Sequence, residues 1–145
     1  MHELSRYLYL AGGMPFLFLG GAHALATPLR RDQLKGLSPY DPSLANAMSA
    51  TTVRLTRRTD MWLAWVGFNL SHSLGAVLFG VVSLLVGRSE PAFRTEAPFF
   101  GPLAILVSGT YLVLGIKYWF RTPIVGCAVG FGLFLLSFVF FQVAR

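Results

Sequence analysis

The sequence predicts an all-α integral membrane protein: a bundle of four transmembrane helices with a basic loop-helix between the first two, in one domain spanning residues 1–145. Three observations carry this. Hydrophobic residues make up 54% of the 145 and charged residues 12%, about half the roughly 25% found in soluble domains. The mean hydropathy is +0.61. The apolar residues are gathered into four runs, each about as long as a helix must be to cross a hydrocarbon core of about 30 Å.

The first run, about 7–26 (YLYLAGGMPFLFLGGAHALA), holds no Asp, Glu, Lys or Arg. Ala24-Leu25-Ala26 fits a small-x-small cleavage site, so a signal peptide competes with a retained span. The run exceeds the usual h-region of about 7–15 residues, which favours retention. The other runs are about 61–86, 99–120 and 124–143. Backbone groups in lipid must be satisfied within the segment, so each run reads as a helix and not as an open strand.

Between the first two runs, residues 28–60 carry Arg30, Arg31, Lys35, Arg54, Arg57 and Arg58 around a turn-rich "GLSPYDPS". Ser43, after Pro42, is placed to cap a helix whose Ala45, Met48, Thr52 and Leu55 share a face. This reads as a surface helix packed on the bundle or lying in the headgroup plane, and it can run on into the second span. Residues 87–98 (GRSEPAFRTEAP) read as a short polar loop, and Arg121-Thr122-Pro123 as a tight link that makes the last two spans an antiparallel hairpin. Asp60 is placed to cap the second span or to pair with Arg57.

The net charge is +6. In a soluble chain that would raise nucleic acid as a partner. Here the basic residues flank apolar runs, which points instead to membrane orientation and to anionic lipid headgroups at the basic loop. The loop 28–60 together with Lys117 and Arg121 holds eight Lys and Arg on one side, against Arg6, Arg88, Arg94 and Arg145 on the other. The positive-inside rule then puts the loop in the cytoplasm and both termini outside.

Helices in lipid pack through small residues that let backbones approach. Gly67, Ser71 and Gly75 supply such a stripe at four-residue spacing, as do Gly126 and Gly130. Packing inside the bundle is the simpler use, a seam with a partner the sharper one. Phe131, Phe134, Phe138 and Phe141 form a further stripe, available to lipid or to a partner.

One stretch breaks the apolar pattern. Trp65, Asn69, His72, Ala76 and Phe79 share a helical face, and His72 falls near the middle of its span. Ionisable groups at such depth face a bundle interior or a cavity. A neutral histidine satisfied by Asn69 and by Tyr111 of the third span is the structural reading. A pocket for a small apolar ligand, lined by Trp65, Asn69, His72 and Tyr111, is the functional one. His23 is a second intramembrane histidine, so haem between His23 and His72 enters as a weak candidate. Counted along straight helices, the two differ in height by about 12 Å, which strains that arrangement. No metal site is expected: zinc asks for three protein ligands, the span interiors have no acids, and Cys127 is the single cysteine. No cofactor is predicted. Ser71 and His72 are sequence neighbours whose side chains diverge, so they form no nucleophile–base pair, and no catalytic residue is assigned.

The segment "MWLAWVGFNLSHSLGAVLFG", through Trp62, Gly67, Phe68, Asn69, Ser71 and His72, resembles a family of small bacterial four-span membrane proteins to which no activity is attached. The resemblance implies a bacterial membrane protein, and the expected location is the inner membrane. With so little mass outside the spans, the chain reads as a non-catalytic accessory or assembly subunit packed against other membrane proteins. A membrane enzyme or carrier with its ligand near Asn69 and His72 is the alternative, and a haem-bearing electron-transfer subunit the second.

Overall fold

The computed structural model describes residues 1–144. They form helices α1 (His2–Ala26), α2 (Pro42–Ala50), α3 (Met61–Gly87), α4 (Glu90–Tyr118) and α5 (Arg121–Val143), with no strand among the described residues. All but α2 are long and apolar enough to cross a membrane, and the protein is an integral membrane protein. The chain gathers into two compact units. One holds Met1–Leu19 and Ala76–Arg145, the other Gly20–Gly75.

Three boundaries differ from the sequence expectation. Residues 87–98 are not a loop: only Arg88 and Ser89 separate α3 from α4. Ser89 caps α4 by accepting from the Ala92 amide at 3.4 Å, and Pro91 sits in the first turn, where its missing N–H costs nothing. The helix forms there because its buried stripe starts at Phe93 and continues through Ala97, Gly101, Ala104 and Ser108, before the uncharged run begins. The link between α4 and α5 is Trp119–Phe120, and Arg121 already belongs to α5. The helix in the basic segment is shorter than expected. Asp41, not Ser43, is its cap, accepting from the Ser43 amide at 2.8 Å. The helix stops at Ala50, where Thr51 turns extended, so it does not continue into α3. Leu55 lies beyond it, fully exposed.

In the first unit an aromatic core binds the helices. Phe16, Phe93 and Phe134 are almost wholly buried, and Phe134 meets the rings of Tyr9 at 5.1 Å and Phe79 at 5.6 Å. The α5 phenylalanine stripe therefore turns inward. Glycines on facing helices make the room: a Cβ at Gly12 would lie 3.0 Å from the Phe134 ring, and one at Gly109 3.2 Å from that of Phe131. Gly126 and Gly130 lie against Leu19 and Phe16 of α1, each 2.6 Å from where a Cβ would stand. Polar atoms tie α1 to α5 as well. Ser5 Oγ donates to the Ser137 carbonyl at 2.7 Å, and Ser137 Oγ donates back to the Ser5 carbonyl at 2.8 Å. In lipid each such group would otherwise lack any partner. Arg6 donates to the Gly87 carbonyl at 3.1 Å, satisfying the end of α3.

In the second unit the chain folds back over the end of α1. Gly36 takes a left-handed φ of 52°, and a Cβ there would stand 2.5 Å from the Ala26 carbonyl oxygen, so glycine is required. The Leu37 amide then bonds that same carbonyl at 3.1 Å. Helix α2 packs Ala45 against Trp62 and Val66 at the start of α3. The cap of α2 sets a pH limit. Two hydrogen bonds from Ser43 hold the Asp41 carboxyl below its usual range. A lowered folded-state value contributes stability above the unfolded value, and loses it as the pH falls through the folded one. Circular dichroism at acid pH should register α2 fraying, and Asp41→Asn, which keeps a capping oxygen, should remove the dependence.

Candidate functional site

The polar cluster is assembled from α1 and α3 within the second unit. Asn69, buried to 7% exposure, donates its amide Nδ2 to the Trp65 carbonyl at 2.8 Å. That bond fixes the amide orientation, so Oδ1 faces His23 Nε2 at 2.9 Å. An amide oxygen can only accept, so Nε2 of His23 carries a proton whether the ring is neutral or charged. The ring of His72 lies 5.1 Å from that of His23, tilted by 57°, and Phe68 stacks near His72 at 6.3 Å. Both histidines are half-buried. Ser73 Oγ donates to the Asn69 carbonyl at 2.9 Å and Thr27 Oγ1 to the His23 carbonyl at 2.8 Å. These bonds fix the backbone under the two polar side chains. The Trp65 ring meets that of Trp62 at 5.2 Å, tilted by 35°.

The two histidines are thus neighbours, and the 12 Å height difference read from the sequence does not exist. Such a difference would hold only if α1 and α3 ended level with each other. Instead Asn69 stands eight residues into α3, while His23 is three from the end of α1. The first turns of α3 therefore run about 7 Å past α1, covered by α2 and the returning loop. His72 therefore stands level with His23, their rings 5.1 Å apart. No sequence signal marked this stagger.

Tyr111 belongs to the other unit, where its ring meets Phe16 at 5.6 Å. Among the described residues no three His, Cys, Asp or Glu side chains come together as a metal site. The histidine pair as arranged does not fit haem. Imidazoles on opposite faces of one iron, each bonded at about 2 Å, hold their ring centres about 6 Å apart. Here they are closer, and His23 Nε2 is engaged by Asn69. What the cluster does offer is a set of oriented donors and acceptors between two apolar helices, with aromatic rings on its flank.

Gly67, Ser71 and Gly75 are all exposed. A Cβ at Gly67 would meet nothing within 4 Å, in contrast to Gly126 and Gly130. The Ser71 hydroxyl is turned back to the Phe68 carbonyl at 2.9 Å, which leaves the stripe without outward polarity. No family model, curated protein or solved structure matches the chain.

Proposed function

We propose that the chain is a small non-catalytic subunit of a larger membrane complex in the bacterial inner membrane, joined to its partner through α3. The carrying observation is the Gly67–Ser71–Gly75 stripe. Other glycines, at 13, 80, 126 and 130, sit under neighbouring helices, whereas this stripe is exposed at all three of its positions. Close backbone approach is the main thing a helix in lipid has to offer a second helix. The stripe is bordered by exposed Phe68, Leu74 and Leu78, so the partner is a transmembrane helix with a flat, small-residue face of its own. The orientation has the termini outside and the basic loop in the cytoplasm. A cysteine introduced at Ser38, in a Cys127→Ser background, should react with an impermeant maleimide only from the cytoplasmic side.

The test is co-purification from native membranes in mild detergent. The wild-type chain should bring partner subunits at fixed stoichiometry. Gly67→Leu or Ser71→Leu should lower that yield by roughly tenfold, a typical loss for a disrupted packing seam, while the thermal midpoint of the isolated chain stays put. A wild-type chain that leaves the membrane as a lone monomer would sink the reading.

The His23–Asn69–His72 cluster favours a second reading, a carrier or enzyme for a small apolar ligand with one polar end. In that case His72→Phe abolishes function without disturbing assembly.

A further inference from the structure

An open cleft of about 370 Å³ lies beside the start of α3, its walls drawn from the loop after α1, from α2 and from the first turn of α3. That is room for roughly twelve waters. Its residues flank the ends of two spans, Ala26 and Met61, so it opens at headgroup level. Leu29 and Leu63, both on its wall and both more than half exposed, continue its surface in apolar form, and Trp62 backs it.

Four charges line the cleft. Arg30 and Asp32 cancel each other in a two-pronged bridge, at 3.0 and 2.9 Å. That leaves one cation and one anion. No hydrogen bond or ion pair joins Arg31 to another described residue. Asp60 accepts from the Leu63 amide through one oxygen at 2.8 Å and makes no ion pair among the described residues. A purely anionic headgroup would meet Arg31 but would also be set against Asp60. A headgroup bearing both a phosphodiester and a primary ammonium answers both charges.

We propose that this cleft binds the headgroup of an aminophospholipid, with the phosphodiester on Arg31, the ammonium on Asp60 and the acyl chains leaving along Leu29 and Leu63. The basic loop as a whole draws phosphate to the surface, and the cleft itself selects the zwitterion. This is independent of the subunit reading above.

The test uses the delipidated full chain in detergent, titrated by native mass spectrometry with phosphatidylethanolamine, phosphatidylglycerol and phosphatidylcholine of identical acyl chains. Phosphatidylethanolamine should bind roughly tenfold tighter than the other two, the scale of one charge-assisted hydrogen bond. Arg31→Gln should weaken all three by a similar factor. Asp60→Asn keeps an oxygen for the Leu63 amide but loses the charge, and should erase the preference over phosphatidylcholine, whose quaternary nitrogen donates no hydrogen bond. Lys35→Gln, outside the cleft, should change nothing. Phosphatidylglycerol binding as well as phosphatidylethanolamine, or Arg31→Gln without effect, would overturn the proposal. So would free phosphoethanolamine or inorganic phosphate binding as tightly as the lipid, which would make the site one for a soluble phosphate.

Discussion

Leucine at Gly13 is expected to unfold the first unit. Where α1 and α3 run together between Gly13 and Gly80, a Cβ at Gly13 would lie 2.7 Å from Ser83 Cβ and 3.3 Å from the Gly80 carbonyl. The first of these atoms is the root of a side chain and the second is backbone, so neither can swing away. A Cβ at Gly80 would stand 2.5 Å from Leu17 Cγ and 3.0 Å from the Gly13 carbonyl oxygen. Leu17 can change rotamer; the carbonyl cannot. The two helices must therefore part, and α1 would lose its hold on the Phe16–Phe79 contact at 4.8 Å. Overpacking of this kind costs about 3 kcal/mol or more when backbone must shift. Gly13→Leu should lower the thermal midpoint in detergent by about ten degrees, or prevent recovery of folded protein. Gly80→Leu should do somewhat less. Gly132→Leu is the control, because a Cβ there meets nothing within 4 Å; its midpoint should hold. Equal losses at all three positions would mean that helix approach is not what these glycines supply.

The four spans were legible because hydrocarbon imposes a coarse rule: about twenty residues without charge must be helical. The same rule misplaces ends. Helix α4 begins among Glu90, Arg94 and Glu96, since a helix can leave the apolar layer and keep its buried stripe. The ion pair between Arg94 and Glu90, one turn apart, solvates that stretch. Pairing of faces was less legible. The α5 phenylalanines looked fit for lipid, and only the glycines of α1 and α4, distant in sequence, show that the rings turn inward. The candidate site was legible in half. Asn69 and His72 stand out as polar residues in an apolar helix. The Asn69 bond to His23 and the His72–His23 ring contact depend on the stagger between α1 and α3. Periodicity within one helix carries no information about its height against another.

Asn69→Leu should cost about 2–3 kcal/mol, read as a loss of thermal stability in detergent. The amide makes two bonds, to Trp65 and to His23. Removing it leaves the protonated Nε2 of His23 facing leucine, and a donor stripped of its acceptor costs about 1–3 kcal/mol where water is scarce. The Trp65 carbonyl keeps its helical partner and adds less. His23→Phe alone should cost less than Asn69→Leu, because Asn69 retains its bond to Trp65. The double variant His23→Phe/Asn69→Leu should be more stable than the sum of the two, by about 1 kcal/mol, since removing both members of a buried polar pair abolishes the mismatch. This cycle separates packing from chemistry. If the cluster serves only the fold, the double variant recovers function along with stability. If a ligand is held there, stability returns and function does not, and His72→Phe alone is as inactive as the double variant. If the single and double variants are all indistinguishable from wild type in stability, the His23–Asn69 bond is not made in the membrane, and the neighbourhood of the two histidines goes with it.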